Sequence, residues 1–221
     1  MFQGYYFARP EVRREHAPGV DQTNLLNLLA ELNQPDVELA ELQAIISRDA
    51  ALSFKLLRVL NSANFGLARR IGTVGEMLVY LGQPKVREIA NLLLLVRCDD
   101  KPLPLLMLAM QRASACQRLA GQALEGGGQR AFLVGLFSAL DAILDMPLET
   151  ALAALPLSED VREAILHRRG ELGSILDLAI ALERGDWDAL EKAPIQGLDC
   201  GKASLESITF TAQIEQQVER R

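Results

Sequence analysis

Side chains able to ligate a metal or move a proton are few in this sequence. It has two histidines, His16 and His167, and neither is followed by aspartate. His16 lies in a charged stretch broken by Pro18-Gly19, and His167 stands beside Arg168 and Arg169 near a helix end. Both read as solvated, and a histidine near a helix C-terminus also complements the dipole. Asp141 and Asp145 are one helical turn apart, as are Glu159 and Glu163. Such pairs serve acid–base or metal chemistry only inside a cleft, and on helices of this composition they read as solvated faces. Cys98, Cys116 and Cys200 are odd in number and widely spaced, without a CxxC, so they build no disulfide framework and suit a reducing cytoplasm. Cys116, among apolar neighbours, reads as a small core residue. Gly126-Gly127-Gly128 lacks the Lys-Ser/Thr of a phosphate loop and reads as a helix connection.

The elements that position these residues are helical. Asp21 can cap a helix carrying Leu25, Leu26, Leu28, Leu29 and Leu32, and Pro35-Asp36 can start a second with Leu39, Leu42, Ile45 and Ile46 on one face. A third is expected from Ala50 to Asn61. Thr73-x-x-Glu76 has the form of a capping box, and its helix should stop at Gly82 with a left-handed cap. Pro84 suits the first position of a fifth helix, which contains the nearly all-apolar stretch Ile89 to Val96. Beyond Pro102 and Pro104, helices are expected from Leu105 to Leu124, from Gln129 to Leu144, after Pro147, from Ser158 towards Gly170, from Glu171 to Arg184, around Trp187, and from Ser204 to Val218. The fold class is all-α.

Bulk properties exclude several functions. The net charge is −6 and the pI near 5.1, so the basic footprint of a general nucleic-acid binder is missing. Met1 leads into aromatic and charged residues rather than a secretory leader. The unbroken apolar run Leu105 to Met110 is far too short to span a bilayer. No nucleic acid and no membrane are expected as partners, and the cytoplasm is the expected compartment.

One stretch is more specific. It runs from Asp49-Ala-Ala-Leu-Ser-Phe-Lys-Leu-Leu-Arg58 through Asn61-Ser62-Ala63-Asn64-Phe65-Gly66, then Ile71-Gly-Thr-Val74 and Leu78-Val-Tyr-Leu-Gly82. It resembles the signature of HDOD domains, helical signalling modules related to the HD phosphohydrolases. The resemblance runs from about residue 21 to 190. The later Ala131-Phe-Leu-Val-Gly-Leu-Phe-Ser-Ala-Leu-Asp141, Leu155-Pro-Leu-Ser158 and Glu183-Arg-Gly-Asp-Trp187 are similar to the C-terminal part of proteins that fuse an EAL domain to an HDOD domain. Phe2-Gln-Gly-Tyr-Tyr-Phe-Ala-Arg-Pro10 in turn resembles the last strand of an EAL barrel, the fold of cyclic-di-GMP phosphodiesterases. The implied organisation is an EAL strand remnant at 1–10, a linker at 11–20, an HD-like multi-helix bundle (HDOD) at 21–200, and a C-terminal helix or tail at 201–221.

The resemblance also implies what the site lacks. HD hydrolases use a His, a His-Asp dyad and a distal Asp to hold divalent metals, whose bound water becomes the nucleophile. Here Ala113 stands at the first ligand position, and Ser138 and Ala139 at the dyad. None of these can replace imidazole or carboxylate. The metal site is therefore expected to be vestigial, with no cofactor and no catalysis. Any phosphodiesterase activity would belong to an EAL domain. The alternatives are a divergent HD-type metal-dependent phosphohydrolase and a small-ligand or nucleotide sensor using a remnant pocket near Ala113, Ser138 and Asp141.

Two readings stand for Asn61-Ser62-Ala63-Asn64-Phe65-Gly66. In one, Asn and Ser tie the helix end to the next turn, Phe65 plugs the core and Gly66 takes a positive φ. In the other, the loop joins Arg58, Arg69 and Arg70 as a basic recognition surface for a partner's carboxylate or phosphate. The leading function is a non-catalytic signal-transduction and protein-interaction module, the regulatory output part of a bacterial EAL–HDOD protein in cyclic-di-GMP signalling. The expected partners are its own EAL domain, other signalling proteins and a second copy of the chain.

Overall fold

The computed structural model describes residues 20–34, 37–61, 70–95, 101–192 and 197–218. Among them every regular element is a helix. They are α1 (Val20–Leu32), α2 (Leu39–Arg48), α3 (Ala50–Leu60), α4 (Val74–Leu81), α5 (Gln83–Leu95), α6 (Leu103–Ala123), α7 (Gly128–Phe137), α8 (Leu140–Leu144), α9 (Leu148–Ala153), α10 (Glu159–His167), α11 (Gly170–Arg184), α12 (Trp187–Glu191) and α13 (Cys200–Val218). The expected all-α class is what forms. None of these helices is long and apolar enough to cross a membrane. The EAL-like segment 1–10 and most of the linker, with His16, lie outside the described residues.

The chain divides into two compact units. In the first, α1 to α4 pack around α5. Each outer helix buries one stripe: Leu25, Leu26, Leu29 and Leu32 on α1, Leu42, Ile45 and Ile46 on α2, and Leu52, Leu56, Val59 and Leu60 on α3. All ten residues from Val86 to Leu95 are buried, as the apolar run predicts. Three polar side chains spaced by four along α5 tie it to the end of α1 and the following connection. Gln83 donates to Val37 O at 2.6 Å, Arg87 to Gln34 O at 3.4 Å, and Asn91 exchanges amide hydrogen bonds with Asn33 at 2.8 and 3.0 Å.

The second unit is built from α6 to α12 and α13 up to Ala212. The long α6 packs along α7 and α11, with α10 across α7 and α11. Its core holds Phe132, Phe137, Leu119, Ile175 and Leu176. Arg118 meets Glu206 at 2.6 Å, and Asp199 N donates to the Gln122 side chain at 2.7 Å, so polar contacts hold the start of α13 to α6.

Local signals set many boundaries. Asp49 accepts from Leu52 N at 2.9 Å and starts α3, Gly185 ends α11 in the left-handed region, and Asp186 accepts from Ala189 N at 3.0 Å to start α12. Elsewhere the structure differs from the expectation. α1 already begins at Val20, ahead of Asp21. α2 begins at Leu39, because Glu38 caps it with Glu41 reaching back to the Glu38 N–H at 3.2 Å, and Leu39 is exposed. Thr73 accepts from Glu76 N, but the Glu76 carboxylate takes the N–H of Gly72, not of Thr73. Gly82 has φ 79° but an extended ψ of 156°, so the chain turns straight into α5 and Pro84 becomes its second residue. Ser158 precedes α10 without capping its backbone; its hydroxyl instead serves Asp160, helping hold that carboxyl below its usual range. The expected helix from Gln129 to Leu144 is broken at Ser138–Ala139, where Ala139 leaves the helical region with φ −116° and ψ 9°.

Candidate functional site

Ala113 and Arg112 lie mid-way along α6, Ser138 closes α7, and Glu183 lies in the last turn of α11. Arg112 joins them. Its Nε and Nη2 donate to the two oxygens of Glu183, both at 2.9 Å, and its Nη1 donates to Ser138 Oγ at 3.0 Å. This is the bidentate fork that suits guanidinium to carboxylate. The two side chains are only 12% and 8% exposed, so solvent screens the pair little. Ser138 Oγ passes its own proton to Gly135 O at 2.8 Å. In a continuous helix that carbonyl would take the N–H of Ala139. That bond is not made: α7 stops there, with Ala139 turned out of the helix at φ −116° and ψ 9°.

Beneath this network α6 and α7 touch backbone to backbone. A Cβ on Gly135 would stand 2.7 Å from Ala113 Cα and 2.8 Å from Arg112 O. Ala113 is fully buried, and Ala139 nearly so. Ala113, Ser138 and Ala139, the positions that the resemblance sets at HD ligand sites, sit together around one helix junction. They present a methyl, a hydroxyl and a methyl, while the polar groups facing them are a guanidinium and its carboxylate. Among the described residues no three His, Cys, Asp or Glu side chains converge as a metal site would require.

A hollow borders the network, lined by Gln111, Arg112, Ala179, Glu183, Ser204 and Ser207, with a free volume of about 10 Å³. That is room for about one water. Ala113, Ser138 and Asp141 do not line it. One turn along α6 from Arg112 lies Cys116, fully buried, its thiol pushed up to about 12 chiefly by burial. It is a core group, not a nucleophile.

The paired carboxylates go separate ways. Asp145 ends α8 with φ 51° and binds Lys101, while Asp141 stays on the helix. Glu163 holds Arg169 at 2.8 Å, and Glu159 is exposed. His167 is exposed in the last turn of α10. At the signature loop, Asn61 Nδ2 donates to Leu57 O and Ile71 O, and its Oδ1 accepts from Ile71 N at 2.7 Å. One side chain thus clamps the end of α3 to the start of the segment before α4. Arg58 is half-buried and Arg70 exposed. Ser62, Asn64, Phe65, Gly66 and Arg69 lie outside the described residues.

The sequence profile of HDOD domains matches residues 21–153. The chain belongs to the HDOD family. The HDOD match is accompanied by similarity to the cyclic di-GMP phosphodiesterase CdgJ of Vibrio cholerae serotype O1, 36% identical over 194 residues, 87% of this chain and 45% of that protein. The uncharacterised protein YuxH of Bacillus subtilis is 26% identical over 192 residues, 85% of this chain and 47% of that protein. The chain thus spans about half the length of these relatives. Among solved structures, a candidate phosphohydrolase of Shewanella amazonensis SB2B superposes with a TM-score of 0.61 at 16% identity, over 96% of this chain and 94% of the other, so the two share a fold.

Arg112 and Glu183 are the site residues that motif reasoning passes over. A signal for them exists. Arg112 falls three residues after buried Ala109 and four before buried Cys116, and Glu183 falls four after buried Ala179. Each is a charge on an apolar stripe, and the two charges are opposite.

Proposed function

We propose that this HDOD domain is a non-catalytic interaction module, the regulatory part of a longer bacterial protein that joins it to an EAL domain in cyclic-di-GMP signalling. The observation that carries the reading is the Arg112–Glu183–Ser138 network at the helix junction of Ala113 and Ala139. A divalent cation needs several anionic or neutral donors; Ala113 and Ala139 offer none, and the Glu183 carboxylate nearby is already taken by Arg112. Water activation then has no centre, and what is left for the domain to use is its surface.

The name of CdgJ supports the pathway. Because this chain matches only 45% of that protein, we assign phosphodiester hydrolysis to the part of such proteins beyond the match. We read residues 2–10 as the last strand of that EAL barrel and 11–20 as the linker. The partners we assign are the EAL domain itself, other signalling proteins and a second copy, in the cytoplasm.

Calorimetric titration of this chain with the separately produced EAL domain of the full-length protein tests the reading, alongside a cyclic-di-GMP hydrolysis assay. The expected result is saturable binding that changes the EAL rate, with no hydrolysis by this chain alone in Mn²⁺ or Mg²⁺. Metal-dependent hydrolysis by this chain alone would favour the divergent phosphohydrolase. Absence of binding would remove the basis for the regulatory role.

A further inference from the structure

Two cations whose side chains are little exposed are matched by acids, Arg112 by Glu183 and Lys101 by Asp145. Arg87 on α5 has no acid partner among the described residues. Only 8% of it is exposed, yet its Nε is buried without a hydrogen-bond partner. Its Nη1 reaches only the Gln34 carbonyl, at 3.4 Å, the outer limit of a hydrogen bond. The adjacent acid in sequence, Glu88, is held by Lys85 at 2.9 Å. The groups one turn away on the same face are already satisfied, Gln83 by Val37 O and Asn91 by Asn33. An arginine does not shed its proton to escape burial, and an unpaired buried charge is costly enough that proteins pair it. Burial pulls the Arg87 pKa down. The Nε edge of a guanidinium offers two parallel N–H donors, the geometry that a carboxylate or phosphate fills.

We propose that Arg87, between Gln83 and Asn91 on α5 and beside the Gln34 carbonyl, is a binding site for a small oxyanion, a phosphate or carboxylate group. The low exposure limits the ligand to a free anion or the tip of an extended group. The site is independent of the α6–α7–α11 junction and of the regulatory reading built on it.

The test is thermal unfolding in inorganic phosphate, in acetate, and in chloride at matched ionic strength, for the wild type, Arg87→Lys and Arg87→Met. Phosphate or acetate should raise the wild-type midpoint above the chloride value, by roughly 5–10 °C at a hundredfold excess over Kd. Arg87→Met should gain nothing beyond chloride, and Arg87→Lys should gain only part. The more effective anion tells phosphate from carboxylate chemistry. Equal gains in wild type and Arg87→Met, or no wild-type gain beyond chloride, would overturn the site. Should Arg87→Met not fold, the Nε–Hε NMR resonance missing from Arg87→Lys identifies Arg87 in the wild type. Saturable movement of that resonance with phosphate or acetate supports the site, and its indifference to both refutes it.

Discussion

Arg112 and Glu183 meet through two parallel hydrogen bonds of 2.9 Å, across 71 residues of chain. Removing one partner leaves the other charge desolvated and alone, which costs about 3–5 kcal/mol. Arg112→Ala and Glu183→Ala should each lose that much stability in urea denaturation. The double variant Arg112→Met/Glu183→Leu should recover most of it, since apolar groups of similar volume replace buried pairs at little cost. Additive losses in the double variant would show that the pair is not coupled.

Gly135 permits the contact of α6 with α7. The atom that a Cβ would strike is backbone, Ala113 Cα at 2.7 Å, and cannot rotate aside. Gly135→Ala should destabilise by about 1–3 kcal/mol, as overpacking does, and Gly135→Val by more. For the same reason Ala113→His should lower the urea midpoint, since no space for an imidazole exists at that junction.

Asn61 makes three hydrogen bonds with its side chain, two of them to the backbone of Ile71. Asn61→Ala should cost about 1–3 kcal/mol. It should also speed amide exchange at Ile71, whose N–H loses its acceptor. An unchanged Ile71 exchange rate would contradict the clamp.

Much of the fold is legible because its signals are local. The caps at Asp49 and Asp186 act within three residues, and the leucine stripes of α1 and α3 follow the helical repeat directly. What was not legible either lacks a standard local mark or depends on distant groups. The break between α7 and α8 carries no such mark, since Ser138 donates to Gly135 O just as Ser207 donates to Ser204 O within the unbroken α13. Glu38 takes the start of α2 from Pro35-Asp36 because an acid pair three residues apart can cap a helix as Ser or Thr would. The ligand-position substitutions at Ala113, Ser138 and Ala139 could be named from the resemblance. The ion pair beside them could not, because stripe membership says that a charge is buried, not which charge it meets.

Cys116 gives the chain a pH dependence with a definite sign. Its thiol is raised from 9.0 to about 12 in the fold, so the folded state keeps a proton that the unfolded state gives up. The associated stability is complete below pH 9 and is lost as pH rises from 9 towards 12. Between those limits the wild type should lose stability faster than Cys116→Ala, by up to about 1.4 kcal/mol per pH unit. Parallel curves would show that the thiol titrates normally. At neutral pH, a thiol reagent should reach Cys116 only through unfolding.

On the proposed reading, the Arg112–Glu183 pair stands in place of metal ligation at the α6–α7–α11 junction. Elemental analysis of the purified protein, after equilibration with Mn²⁺, Fe²⁺, Ni²⁺ and Zn²⁺ and removal of loosely held ions, tests it most directly. Each metal should stay far below one equivalent, in the wild type and in Arg112→Met alike. A full equivalent of any of them, lost on substitution of Glu183, would contradict it.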